Sequence, residues 1–144
     1  MAIAAPPFDI LLVEDNPADV RLMQEAFEEA RVPNRLHVAR DGVEALSMLR
    51  DETGAVPRPD LILLDLNLPR KDGREVLQDI KRDEALRHIP VVILSTSPAE
   101  QDIARSYRLG ANAFVTKPVD IDRFFQVIRS LEQFWLDTAR LIRP

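Results

Sequence analysis

The stretch Asp60-Leu61-Ile62-Leu63-Leu64-Asp65 decides the fold. Four apolar residues stand in a row between two acids. A strand with one wet face alternates polar and apolar residues; a strand covered on both faces does not. Two further runs share the pattern: Ile10-Leu11-Leu12-Val13 between Asp9 and Glu14, and Val91-Val92-Ile93-Leu94 between Pro90 and Ser95. Weaker candidates at Leu36–Ala39 and Ala113–Thr116 complete a set of five strands.

Helical patterns fill the intervals. Asn16-Pro17 reads as an N-cap and first-turn proline, opening a helix to about Ala30 with Val20, Met23 and Phe27 on one face. Asp41 caps a short helix through Arg50, with Val43, Leu46 and Leu49 inward. A third opens at Asp72 or Gly73 and runs to about Arg82, burying Val76, Leu77 and Ile80. Pro98 opens a fourth, closed by Gly110, which suits a left-handed residue after a helix. The last starts near Asp120 and carries Ile121, Phe124, Phe125, Ile128, Leu131 and Trp135. Five strands alternating with five helices predict an α/β fold, a doubly wound parallel sheet with right-handed crossovers.

Composition narrows the function. The 144 residues suit one domain, and 46% hydrophobic with 30% charged residues is a globular mixture. Twenty-four acids against 19 Lys and Arg give a net charge of −5, which disfavours a general nucleic-acid binder. The absence of cysteine excludes disulfides, thiolate metal sites and thiol nucleophiles. The four glycines lie too far apart for a dinucleotide or Walker loop. No apolar run reaches the ~18 residues of a membrane span. The opening MAIAAPPFDI has no basic residue and two prolines, unlike a signal peptide, so a cytoplasmic protein is expected.

In open parallel sheets, ligands gather at the carboxyl ends of the strands. Glu14, Asp15 and Asn16 follow the first strand, Asp65 and Asn67 the third, Ser95 and Thr96 the fourth, and Lys117 the fifth. Three carboxylates, a hydroxyl and an ammonium therefore converge on one edge. Clustered carboxylates repel, and a hard divalent cation such as Mg²⁺ relieves them. Lys117 and Ser95 suit the oxygens of a phosphoryl group. The combined chemistry is Mg²⁺-dependent phosphoryl transfer to a carboxylate, with Asp65 as nucleophile.

These residues sit in segments that resemble the receiver domain of two-component response regulators: LLVEDN at 11–16, DLILLDLNLPRKDG at 60–73, IPVVILSTS at 89–97 and GANAFVTKP at 110–118. The hydroxyl lies 30 residues and the lysine 52 residues beyond Asp65, close to the family spacing. The resemblance spans about Phe8 to Leu131. It implies a flavodoxin-like (βα)5 fold with strand order 2-1-3-4-5. It also implies a phosphoacceptor switch rather than an enzyme acting on a separate substrate.

By the same resemblance, Asp65 accepts phosphoryl from a phosphohistidine. Asp15 binds Mg²⁺, Glu14 holds its water shell, and Asn67 offers its backbone carbonyl. Lys117 pairs with a phosphoryl oxygen, and the Lys117–Pro118 bond is expected to be cis. Ser95 and Phe114 resemble the switch pair, with Ser95 moving toward the phosphoryl group and Phe114 rotating inward. Thr96 stands where many receivers have alanine, and Phe114 lacks the hydroxyl of the commoner tyrosine.

The phrases DLNLPRKDGREVL and LSTS, with Phe134-Trp135 near the end, look most like single-domain regulators paired with phytochrome-type histidine kinases. The implied partner is a sensor histidine kinase or histidine phosphotransfer protein, whose helical bundle docks beside Ala18, Arg21 and Pro118. After Leu131 only 13 residues remain, too few for an output domain. One receiver over residues 1–144 is expected, with its core at 8–131 and an extension at 132–144. Phe124, Phe125, Val127, Ile128, Leu131, Phe134, Trp135 and Leu136 spread over more than one helical face. The surplus points to a homodimer contact involving Phe124, Phe134 and Trp135.

Two other classes are weaker. An aspartyl phosphatase of the haloacid dehalogenase type needs a second Asp two residues after its nucleophile, and Asn67 cannot transfer a proton. A flavin carrier needs a hydroxyl-rich phosphate loop after the first strand, where Glu14 and Asp15 would repel the phosphate.

Overall fold

A computed structural model of the chain describes residues 7–96, 99–117, 120–139 and 141. Its strands are β1 (Phe8–Val13), β2 (Asn34–Ala39), β3 (Leu61–Asp65), β4 (Val91–Ser95) and β5 (Ala113–Thr116). Between and after them lie α1 (Pro17–Glu28), α2 (Gly42–Leu49), α3 (Gly73–Arg82), α4 (Glu100–Arg108) and α5 (Ile121–Leu131). All neighbouring strands are parallel, in the order β2-β1-β3-β4-β5. The doubly wound, flavodoxin-like sheet expected from the sequence is present.

β3 shows why its sequence is apolar without alternation. Leu61 and Leu63 face one way and pack with Ile10, Leu12, Val92 and Leu94 against Val20, Met23 and Phe27 of α1 and Phe124, Ile128 and Leu131 of α5. Ile62 and Leu64 face the other way and pack with Leu11, Val13 and Ile93 against Leu46 of α2 and Val76, Leu77 and Ile80 of α3. Each fully buried side chain of this size contributes about 1.5–3 kcal/mol. Register follows from these two layers: Val13 pairs with Leu64, Asp65 with Leu94, and Ser95 with Thr116. The carboxyl ends of four strands therefore stand side by side.

Several local details differ from expectation. β2 starts at Asn34, two residues early, because the Asn34 amide donates to the carbonyls of Phe27 and Val32 and turns the chain straight into the strand. Val43 is exposed, since the inward face of α2 runs through Gly42, Ala45 and Leu46. Val43 stands about 100° round from Gly42. Ile121 is exposed in the first turn of α5. Gly110 closes the fourth helix with φ 106°, as its left-handed role requires. Pro98 as the opener of that helix, and the expected cis bond before Pro118, lie outside the described residues.

α5 continues into a π-helical segment, Glu132–Thr138. A π-helix bonds each residue to the fifth one on. Leu131 and Leu136, five apart, are accordingly both buried. Phe124, expected at a contact between copies, is instead only 5% exposed and packs in its own core against α1. α5 needs an inner face toward the sheet, and Phe124, Ile128 and Leu131 supply it at helical spacing. Phe134 is 52% exposed and meets Trp135 edge-on, with ring centroids 5.1 Å apart. With Val115, Val127 and Leu131 these two rings line an open groove of about 430 Å³.

Candidate functional site

Each acid of the site stands where a buried strand leaves the sheet. Glu14 directly follows β1, and its backbone N–H still donates to the Ala39 carbonyl of β2 (3.0 Å). Its side chain is therefore carried inward and is almost wholly buried. Asp15, the next residue, is exposed. Asp65 ends β3, and its Oδ1 accepts the backbone N–H of Asn67 (3.1 Å). The chain behind Asp65 leaves no room. A Cβ on Gly73 would stand 2.2 Å from the Asp65 carbonyl and 2.7 Å from Leu66 Cα, so glycine lets α3 begin against the nucleophile's own backbone.

Carboxylate oxygens of Glu14, Asp15 and Asp65 all lie within 4.8 Å of one another. The donor set is oxygen only, which suits a hard divalent cation. The residues present thus fit the group that the sequence pattern implies.

Lys117 reaches the same place from the end of β5. Its backbone N–H donates to the Ser95 carbonyl (2.7 Å), fixing it beside β4. Its ammonium donates to Glu14 Oε2 (2.5 Å), Asp19 Oδ2 (3.1 Å) and Asp65 Oδ2 (3.2 Å). All three ammonium hydrogens are thus engaged by carboxylates. Lys117 thus offsets part of the repulsion among the carboxylates before any divalent cation binds.

The electrostatics follow from burial. Burial pushes the Glu14 carboxyl up to about 7; the Lys117 hydrogen bond opposes this and the Asp65 charge adds to it. Burial also disfavours the Lys117 ammonium, but its hydrogen bond to Glu14 and the charges of Glu14 and Asp65 outweigh that cost. The ammonium is held charged above its ordinary range. Within the pair, Glu14 is the partner that bears the cost of burial.

Ser95 is fully buried at the end of β4, and Thr96 is exposed beside it. Phe114 pairs in register with Ile93 and packs on the same core layer as Ile93. Because side chains two apart share a face, Ser95 and Phe114 lie on one side of the sheet. The Phe114 backbone N–H donates to the Tyr107 hydroxyl of α4 (3.2 Å), which ties β5 to that helix.

Asp19 is the site residue that sequence reasoning missed. It occupies the third position of α1, and its backbone N–H donates to the capping Asn16 side chain (3.2 Å). That pattern reads as ordinary helix capping. Nothing local announces a partner 98 residues away.

The sheet order and this edge define a receiver of phosphoryl signals, and the comparisons with known proteins agree. The chain belongs to the response regulator receiver domain family, whose profile matches residues 10–129. It is 47% identical over 138 residues to the response regulator Rcp1 of Synechocystis sp., covering 94% of each chain. Its structure superposes on the phosphorylated cyanobacterial phytochrome response regulator RcpA with a TM-score of 0.91 at 51% identity, covering 96% of this chain and 100% of that one. The Mn²⁺-bound form of Rcp1 gives a TM-score of 0.90 at 46% identity, with 95% and 100% covered. The phosphatase alternative has no support: Asn67 stands where its second acid belongs, and Asp65 ends the third strand rather than the first.

Proposed function

We propose that this chain is a single-domain switch that accepts a phosphoryl group on Asp65 from a phosphohistidine of a sensor histidine kinase or phosphotransfer protein. The observation that carries this reading is the convergence of Glu14, Asp15 and Asp65 within 4.8 Å, with Lys117 hydrogen-bonded to two of them.

In the transfer, an Asp65 carboxylate oxygen forms a bond to phosphorus as the P–N bond to the donor imidazole breaks. The electron pair of that bond returns to the imidazole nitrogen, and the product is an acyl phosphate on Asp65. Asp15, Asp65 and the Asn67 backbone carbonyl would hold Mg²⁺, with Glu14 supporting its waters, and the ion when bound would neutralise charge on the phosphoryl oxygens. Lys117, held at the site by its three carboxylate contacts, directs its ammonium to a phosphoryl oxygen. The Ser95 hydroxyl donates to another. Phe114, on the same side of the sheet, then rotates inward and changes the surface of α4, β5 and α5. Phe114 has no hydroxyl to fix its inward state, so packing alone holds it.

The similarity to Rcp1 and RcpA supports a phytochrome-type kinase as the phosphoryl donor, and a cytoplasmic site of action follows from that partner. The groove at Val115, Val127, Phe134 and Trp135 supports a homodimer. The net charge of −5 speaks against nucleic acid as a partner, and no helix among the described residues is long and apolar enough to cross a membrane. Sedimentation at micromolar concentration tests the dimer, and a clean monomer would defeat it.

The test of the main reading is incubation with acetyl phosphate and Mg²⁺, read on phosphate-affinity gels. One shifted band is expected for the native chain and none for Asp65→Asn. An undiminished shift in Asp65→Asn would remove the assignment.

A further inference from the structure

Asp19 lies outside the residues that the family resemblance assigns, yet it holds the residue on which charge neutralisation depends. At the third position of a helix, an acid ordinarily reaches back to the N-cap backbone N–H and closes a capping box. Here that N–H, on Asn16, donates to Glu14 Oε1 instead (3.1 Å). Asp19 is thereby freed from local duty, and its carboxylate spans to the Lys117 ammonium at 3.1 Å. Of the two acids that hold Lys117 besides Asp65, Glu14 is sealed in and Asp19 is partly open, with side-chain exposures of 2% and 27%.

We infer that Asp19 is a positioning residue that competes with the incoming phosphoryl group for the Lys117 ammonium, and so slows phosphorylation of Asp65. The ammonium has three hydrogens and three carboxylate acceptors. A phosphoryl group arriving at Asp65 brings further acceptors of the same sign. One existing contact must weaken, and the partly solvated one costs least to give up. Asp19 also adds a negative charge beside the path of an anionic donor. Both effects act against transfer. The inference rests on the phosphoacceptor reading above.

The reaction that reads it is phosphorylation by acetyl phosphate with saturating Mg²⁺. The Asp65 oxygen bonds to phosphorus, the bond between phosphorus and the acetate oxygen breaks, and acetate leaves with the electron pair. Rates are compared for the native chain, Asp19→Asn and Asp19→Glu, with melting temperatures alongside. Asp19→Asn keeps the shape and removes the charge. It is expected to be phosphorylated faster, by up to about fivefold, the value of one partly exposed ion pair expressed as a rate. Asp19→Glu is expected to return toward the native rate. The advantage of Asp19→Asn is expected to shrink with added salt, because a charge effect at a partly exposed group is screened. A slower or unchanged Asp19→Asn rate, or an advantage indifferent to salt, would overturn the inference. Absence of any labelling in the native chain would instead strike the phosphoacceptor reading.

Discussion

Replacing Lys117 by Met removes the one cation placed among Glu14, Asp19 and Asp65 in the described residues. Methionine keeps the unbranched apolar stem and lacks the terminal ammonium, so most of the packing is conserved and the charge is not. Breaking a buried pair by deleting one partner costs about 3–5 kcal/mol, because the other charge stays buried. The Lys117, Glu14 and Asp65 side chains are 6%, 2% and 10% exposed, so solvent screens this loss little. For a domain of this size, 1 kcal/mol moves the melting temperature by about 3 °C, which gives a fall of roughly 10–15 °C.

The loss also has a defined pH dependence. Glu14 titrates near 7 with Lys117 present, and without it the carboxyl rises further. A carboxyl raised on folding binds more protons in the folded state than in the unfolded one. Stability therefore falls, by about 1.4 kcal/mol per pH unit, from the unfolded value up to the folded one. In Lys117→Met that fall continues past 7, whereas in the native chain it ends there. The variant's deficit is thus largest near pH 8.5 and much smaller near pH 6, where Glu14 is neutral in the variant's folded state. The assay is thermal unfolding by circular dichroism in EDTA at both pH values, repeated with Mg²⁺. Metal at about 100 times its dissociation constant should return ~2.7 kcal/mol. A variant that melts with the native chain near pH 8.5, or loses the same amount at both pH values, would refute the reasoning.

Three further outcomes follow from the same geometry. An ionised Glu14 holds the metal's waters better than a neutral one, so Mg²⁺ affinity measured by calorimetry should rise with pH up to about 7 and level off above it, with Glu14→Gln flat. An affinity that does not change across this range in the native chain would count against it. Gly73→Ala drives a methyl into the Asp65 carbonyl and should cost about 1–3 kcal/mol while slowing Asp65 labelling. Native melting and labelling would show that the close approach relaxes freely. Arg70, at φ 64°, is a non-glycine residue in the left-handed region, and its side chain, ion-paired to Asp41, is itself largely exposed. Arg70→Gly should raise the melting temperature by about 1–3 °C, the relief of strain exceeding the added flexibility of the unfolded chain; a fall would refute it.

The parts of the molecule legible in the sequence are those where one local pattern has one physical meaning. β1, β3 and β4 read clearly because four apolar residues in a row need two covered faces. The acids of the edge read clearly because a parallel sheet gathers strand ends. What stayed hidden depends on contacts across the chain. The sequence places Lys117 at the edge but does not show its ammonium among three carboxylates. Asp19 looks like a capping acid until β5 is brought beside it. Phe124 and Phe134 look alike on paper. Helical phase buries the first, and the wider π turn that seats Leu136 leaves the second outside.

The most direct test of the central claim is to trap the acyl phosphate. The chain is phosphorylated by a phytochrome-type histidine kinase with Mg²⁺, reduced with borohydride, digested and mapped by mass spectrometry. Reduction converts a phosphorylated aspartate to homoserine. Homoserine at Asp65 alone, and at no other acid of the edge, is the predicted result. Modification at Asp15 or Asp19, or an unmodified Asp65 in protein that carries phosphate, would contradict the account.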